Sequence, residues 1–213
     1  MVREAGPVGL DRERITGAAV RLLDAEGLGR FSMRRLAGEL GVTAMSLYWY
    51  VDTKRDLLGL ALDRVIGEVP VAADGTQDGS VVGPVVGPVD GPVDGPVGDG
   101  RWDLGLRQLA CGYRRVLAAH PWAARLAADC DEGGPHARAL DSALLRLLDG
   151  AGLAGHSRAG AHLAVAHFLR GCGGAGRRVP EGAFGAALDV LIAGITAKAR
   201  GPAGERVSGM LGA

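Results

Sequence analysis

Neither sign of charge is in excess in this chain of 213 residues: Lys and Arg number 24, Asp and Glu 24, so no global basic field draws it toward nucleic acid. Cysteine is sparse. Cys111, Cys130 and Cys172 are widely separated and form no C-x-x-C pair, which fits reduced, core-like thiols better than a disulfide framework or a zinc site. No run of about 18 apolar residues occurs, and the N-terminal MVREAGPVGL has no apolar segment, so neither a membrane span nor export is expected and the chain is placed in the cytoplasm. Catalytic signatures are missing as well. There is no G-x-S-x-G elbow and no Cys/His/Asn set, and Asp129, Asp131 and Glu132 sit at a helix end where solvation accounts for them. His156, His162 and His167 stand five or six apart, the wrong interval for a metal pair on one helix face. Gly171 to Gly176 satisfies G-x-G-x-x-G in letters only, because it follows a helix and runs into Arg177-Arg178-Val179-Pro180 instead of joining a strand to a helix. No catalytic residue, metal or cofactor is expected. Period-two alternation is absent too, which leaves an all-α fold.

What is present starts with enough apolar material, 47% against 23% charged, for one or two domains with a sizeable core. The informative stretch is Phe31 to Asp56, FSMRRLAGELGVTAMSLYWYVDTKRD. Ser32 is placed to cap a helix whose apolar positions Leu36, Ala37 and Leu40 share a face, and Gly41 follows as the residue that tolerates positive φ. Thr43 is a second cap, opening a short helix over 44–50 that is too short to stand alone and has Leu47 as its buried anchor. Its other side chains, Thr43, Ala44, Met45, Ser46, Tyr48, Trp49 and Tyr50, are hydroxyls, aromatics and small or soft apolar groups suited to base edges, thymine methyls or phosphates, with no acidic residue among them. Before this stretch, Ile15, Ala18, Ala19, Leu22 and Leu23 form a helical stripe; after it, Thr53 to Asp56 opens a helix with a near capping box. Helix, glycine turn and short second helix is the spacing of a helix-turn-helix, whose second helix enters the major groove. Although net charge is zero, residues 30–55 carry Arg30, Arg34, Arg35, Lys54 and Arg55 against Glu39 and Asp52, a local footprint for salt-sensitive phosphate binding.

Residues Arg12 to Ile66 resemble the N-terminal domain of the TetR family of transcriptional repressors, and Leu47-Tyr48-Trp49-Tyr50-Val51 with Lys54 and Leu57-Leu58 is especially similar to its tetracycline-repressor branch. The resemblance implies phosphate- and base-contacting roles for Arg34, Thr43, Ala44, Met45, Ser46, Tyr48, Trp49, Tyr50 and Lys54. Two positions depart from the branch: Tyr50 stands where histidine is usual, and Asp52-Thr53 where a basic residue and asparagine are common, so the operator sequence does not carry over. The resemblance also implies a homodimer on double-stranded, palindromic operator DNA, released by a small-molecule effector. The rival is a helical ligand-binding protein or enzyme in which this corner is coincidental.

The expected organisation is a DNA-binding domain over 9–69, a linker over 70–100 and a helical effector and dimerisation domain over 101–200. The first helix should span 11–26, and a helix over about 54–68 should turn Leu57, Leu58, Ala61, Leu62, Val65 and Ile66 inward and stop at Pro70. In the linker, Gly at 83, 87, 91 and 95 followed by Pro at 84, 88, 92 and 96 forms a four-residue repeat, with five aspartates and no basic residue over 71–100. That composition predicts a solvated, largely disordered segment. Beyond it the helical stripes read Leu106, Leu109, Ala110, Tyr113, Val116 and Leu117; a short segment from Pro121; Leu140, Leu144, Leu147 and Leu148; then, capped by Ser157, Ala161, Ala164, Val165, Phe168 and Leu169; and last Phe184, Ala187, Leu188, Leu191, Ile192 and Ile195. Tyr113, His120, Trp122, His162 and Phe168 are the candidates to line an effector pocket. By the same resemblance, about 157–172 and 181–198 would build the dimer bundle, where Gly182, Gly185, Ala186, Ala193 and Gly194 permit close approach.

Overall fold

The computed structural model describes residues 10–71, 102–129, 133–172 and 179–200, and among them there are nine helices and no strand. The helices are α1 (Arg12–Glu26), α2 (Met33–Leu40), α3 (Ala44–Leu47), α4 (Lys54–Ile66), α5 (Trp102–Ala119), α6 (Pro121–Asp129), α7 (Pro135–Gly150), α8 (Gly155–Cys172) and α9 (Glu181–Ala199). Local chemistry sets most of the boundaries. Asp11, Ser32, Thr43 and Thr53 each adopt extended backbone and accept from an N–H in the first turn that follows. At Thr53 the capping box is complete, because Asp56 supplies the returning carboxylate. Gly41 closes α2 in the left-handed region at φ 67°, its N–H returning to Ala37 O and Gly38 O.

The helix faces bury most of the residues that the periodicity assigns to them, with Leu40, Leu58, Leu140 and Leu147 half-buried at the edges. Leu36, Ala37, Leu47, Leu57, Ala61, Leu62, Val65 and Ile66 are buried in the N-terminal half, and the whole predicted stripe of α5 is buried. One continuous core runs through both halves, because α4 packs on α1 at one side and on α5, α6 and α7 at the other. Helix α4 is therefore the shared wall between the first three helices and the rest.

Several expectations need correction. Helix α4 ends at Ile66, four residues ahead of Pro70, with Gly67 N–H bonded to Asp63 O and Arg64 O. The short helix predicted over 44–50 is regular only over Ala44–Leu47; Tyr48 to Val51 continues as tight turns, with Tyr50 N–H and Val51 N–H both returning to Leu47 O. Ser157 is not a cap, since α8 begins two residues earlier, where Gly152 and Gly155 at positive φ turn the chain. Cys111 is exposed rather than core-like, and Ala164 is exposed as well. Helix α9 is long and apolar enough by length and composition to cross a membrane, although Asp189, Thr196 and Lys198 interrupt its apolar run. The linker beyond Val71, Cys130, Asp131, Glu132 and the loop at 173–176 lie outside the described residues.

Candidate nucleic-acid interface

The short α3 holds its position through one side chain. Leu47 is fully buried, and Val51 is buried just beyond it. Thr43 fixes the entry by accepting from Ser46 N at 3.3 Å and sharing a hydroxyl–hydroxyl bond of 2.9 Å with Ser46. Arg12 fixes the exit: from α1 its Nε and Nη2 donate to Tyr50 O at 3.2 and 3.0 Å. A guanidinium on the last carbonyls of a helical segment satisfies acceptors that have no intrahelical partner.

With both ends held, the remaining side chains face solvent. Met45 is 71% exposed, Tyr48 42% and Trp49 48%. Thr43 is exposed, while Ala44, Ser46 and Tyr50 are half-buried. Tyr50 packs partly against the core, so it is the least available of the predicted base readers. Large apolar side chains grouped in solvent on a helix of four residues and the turn after it add nothing to its stability, and such patches mark contact surfaces.

The basic groups sort into two kinds. Arg35 pairs with Glu26, and Lys54 donates its ammonium to Phe31 O at 2.8 Å while lying 5.5 Å from the Phe31 ring centroid. Arg30, Arg34 and Arg55 are exposed, with no ion pair or hydrogen bond from their side chains among the described residues. These three, flanking α3 in sequence, are the cations a phosphate would meet first. Lys54 keeps two ammonium hydrogens beyond the one given to Phe31.

Only Tyr113 of the five expected pocket residues lines the cavity of about 300 Å³ enclosed by α4, α5, α7 and α8. Phe168 stacks on Phe184 at 5.2 Å instead, and His162 bonds Asp141 Oδ1 at 2.6 Å. His120 and Trp122 form a joint between the two halves of the molecule. His120 Nδ1 lies 2.7 Å from Asp24 of α1, His120 Nε2 lies 3.3 Å from Glu68 just past α4, and Trp122 Nε1 donates to the same Asp24 oxygen at 2.6 Å.

Burial pulls the His120 pKa down, but its hydrogen bonds and charge interactions with Asp24 and Glu68 together push it up by more, leaving it above 6.5. A pKa raised on folding stabilises fully below the unfolded value and loses that contribution as pH rises through the folded value. The wild-type chain should therefore lose thermal stability relative to His120→Gln as pH rises past 6.5, by about 2–4 °C for each kcal/mol of coupling at this chain length. Parallel melting curves from pH 5.5 to 9 check it; curves that stay parallel would refute a charged joint.

Two groups escaped the sequence reading. Arg12 had no local signal, since its partner is 38 residues away. Asp63 did carry one: a carboxylate on the inward face of α4 between Leu62 and Val65, buried to 7% exposure, which demands a partner. Its partners are the first free donors of α7, Ala137 N at 3.0 Å and His136 N at 3.3 Å, together with His136 Nδ1 at 2.9 Å. Asp63 thus caps from α4 a helix that Gly134 leaves without a side-chain cap.

Comparison with known proteins matches residues 15–61 to "Bacterial regulatory proteins, tetR family" and residues 95–182 to "Tetracyclin repressor-like, C-terminal domain". An HTH-type transcriptional regulator of Saccharopolyspora erythraea is 37% identical over 162 residues, 76% of this chain and 59% of the relative. The HTH-type transcriptional repressor DrrR1 of Streptomyces coeruleorubidus is 38% identical over 113 residues, 53% of this chain and 34% of the relative. The chain thus spans between a third and three fifths of the length of these curated relatives. Among solved structures, ActR of Streptomyces coelicolor in complex with actinorhodin superposes with a TM-score of 0.69 at 27% identity, covering 90% of this chain and 99% of that one.

Proposed function

The chain belongs to the TetR family of bacterial regulatory proteins, and from that premise we propose that it is a ligand-responsive transcriptional repressor, acting in the cytoplasm as a homodimer on near-palindromic operator DNA and not as an enzyme. The observation that carries this reading is the exposure of Met45 on α3 and of Tyr48 and Trp49 in the turn that continues it, in a segment whose helix buries only Leu47. In this reading residues 9–69 form the DNA-binding unit. Arg34, Tyr48 and Lys54 hold phosphates, while Thr43, Ala44, Met45 and Ser46, with Trp49 and the half-buried Tyr50 at the edge, meet the bases. A second copy covers α8 and α9, where Leu163 and Val190 are 58% and 72% exposed, and the dimer sets two reading helices about one DNA turn apart.

The effector enters the cavity beside α4. Coupling to the reading helix runs through α4, whose packing on α5, α6 and α7 needs no torque from the segment at 72–101. An effector then acts by its different affinity for the DNA-bound and released arrangements, for which about 1–3 kcal/mol of coupling is usual.

The test is retention of a labelled duplex carrying the chain's own upstream intergenic region, measured against salt. Tyr48→Ala should weaken binding about tenfold, equivalent to about 1.4 kcal/mol. Arg34→Ala should reduce the slope of log affinity against log salt by about one. Retention that ignores both substitutions and the salt would remove the reading.

A further inference from the structure

The cavity behind α4 has acidic and basic side chains in its lining, but they are not in the same condition. Asp63 already receives three N–H groups at the α7 N-terminus, and Asp141 already has His162 as a partner. A helix N-terminus offsets negative charge, and an imidazole facing a carboxylate at 2.6 Å carries its proton toward it. The donors are less engaged. Arg138 gives Nη1 to Gly133 O at 2.8 Å and keeps the rest of its fork. Arg170, at the rim, has no hydrogen bond or ion pair from its side chain among the described residues.

Tyr113 is the sharpest case. The residue is only 6% exposed and lines the cavity, and its hydroxyl, which is not sealed from solvent, makes no hydrogen bond among the described residues. A donor open to the cavity can meet an acceptor that a ligand brings. Burial pushes the phenol's pKa up and the nearby Arg170 charge draws it part of the way back, so the group remains a protonated donor. The rest of the wall is apolar, with Leu62, Ile66, Leu109 and Leu144.

Resting on the reading of this cavity as the effector site, we propose that its ligand is an amphipathic organic anion, an apolar body against the aliphatic wall bearing a carboxylate that Arg170 and the Tyr113 hydroxyl hold together. A guanidinium and a hydroxyl converging on one carboxylate make charge-assisted hydrogen bonds, which are stronger than neutral ones and are not available to an amide. A cation meets carboxylates already answered by a helix terminus and a histidine, and gains less.

The experiment titrates the full chain calorimetrically with anthraquinone-2-carboxylate, its carboxamide and its trimethylammonium analogue, and with the same set on naphthalene. The carboxylates should bind about tenfold tighter than the matching amides, a difference of about 1.4 kcal/mol. Arg170→Gln should erase that preference, and Tyr113→Phe, which keeps the ring and its packing, should weaken the carboxylate while leaving the amide unchanged. Equal binding of acid and amide, preference for the ammonium, a preference that survives Arg170→Gln, or no binding by any probe would each overturn the proposal. Duplex retention in the same samples separates the two readings. A chain that discriminates the acids but never binds or releases DNA contradicts the regulator and leaves the anion site standing; a chain that binds DNA but fails to discriminate does the reverse.

Discussion

Leu47→Ala is expected to destabilise the chain by about 3–5 kcal/mol and to abolish duplex binding with it. Leu47 is the one buried side chain of α3, at 0% exposure, and a helix of four residues has no intrinsic stability to fall back on. Deleting three carbons there removes their transfer energy and leaves a cavity that the neighbouring core can only partly close, because its side chains are tied to their own helices. The neighbouring position gives the control. Met45 is 71% exposed, so Met45→Ala should change stability by no more than about 0.5 kcal/mol while still weakening duplex binding. Urea unfolding of the two variants beside duplex retention checks the contrast; a cost for Leu47→Ala below about 1 kcal/mol would mean that α3 is not held by its leucine.

Asp63→Ala is expected to cost about 3 kcal/mol, since hydrogen bonds to a charged acceptor contribute about 1.5–3 kcal/mol and the loss of an N-cap about 1. The carboxylate accepts Ala137 N, His136 N and His136 Nδ1 in a site where α7 has no cap of its own and begins with Pro135, which brings no N–H. Removing it leaves two part-buried backbone donors unanswered and breaks the polar tie between α4 and α7. Asp63→Asn, which keeps an acceptor oxygen, should recover about half of the loss. Gly134→Ala attacks the same tie from the other side: a Cβ there would lie 2.3 Å from the Asp63 carboxyl carbon, so the carboxylate must leave its place although its chemistry is intact. Thermal melts of the three variants should rank Asp63→Ala lowest. In the proposed mechanism all three also blunt release of DNA by an effector, because α4 would no longer move with α7.

How far the chain could be read from its residues depends on the sequence distance of each contact. The caps at Ser32, Thr43 and Thr53 and the turn at Gly41 involve partners within four residues, so side-chain chemistry alone points to them. The stripe of α5 was equally legible, since burial of Leu106 through Leu117 follows the helical period. His120 and Trp122 were legible only as half-apolar groups in a helical region. Their polar tips answer Asp24, 96 and 98 residues earlier, and no local pattern says whether such a tip meets a ligand or a carboxylate of the same chain. The same holds for Asp63 and His136, 73 residues apart. At Ser157 a good cap residue lost to backbone geometry, because two glycines at positive φ had already turned the chain into α8. The reading segment fell between these cases. Its start was fixed by Thr43, whereas its end was set by Arg12 reaching across from α1 to Tyr50 O.

The central claim is that the side chains of 43–49 stand outside the fold in order to meet a duplex. Placing a photo-crosslinking residue at Met45, and in a separate chain at the exposed Cys111 of α5, puts that claim to its most direct measurement. Irradiation with the upstream duplex should join DNA to position 45, with a yield that falls as salt rises, and should join none to position 111. Crosslinks at both positions, or at 111 alone, would contradict the account.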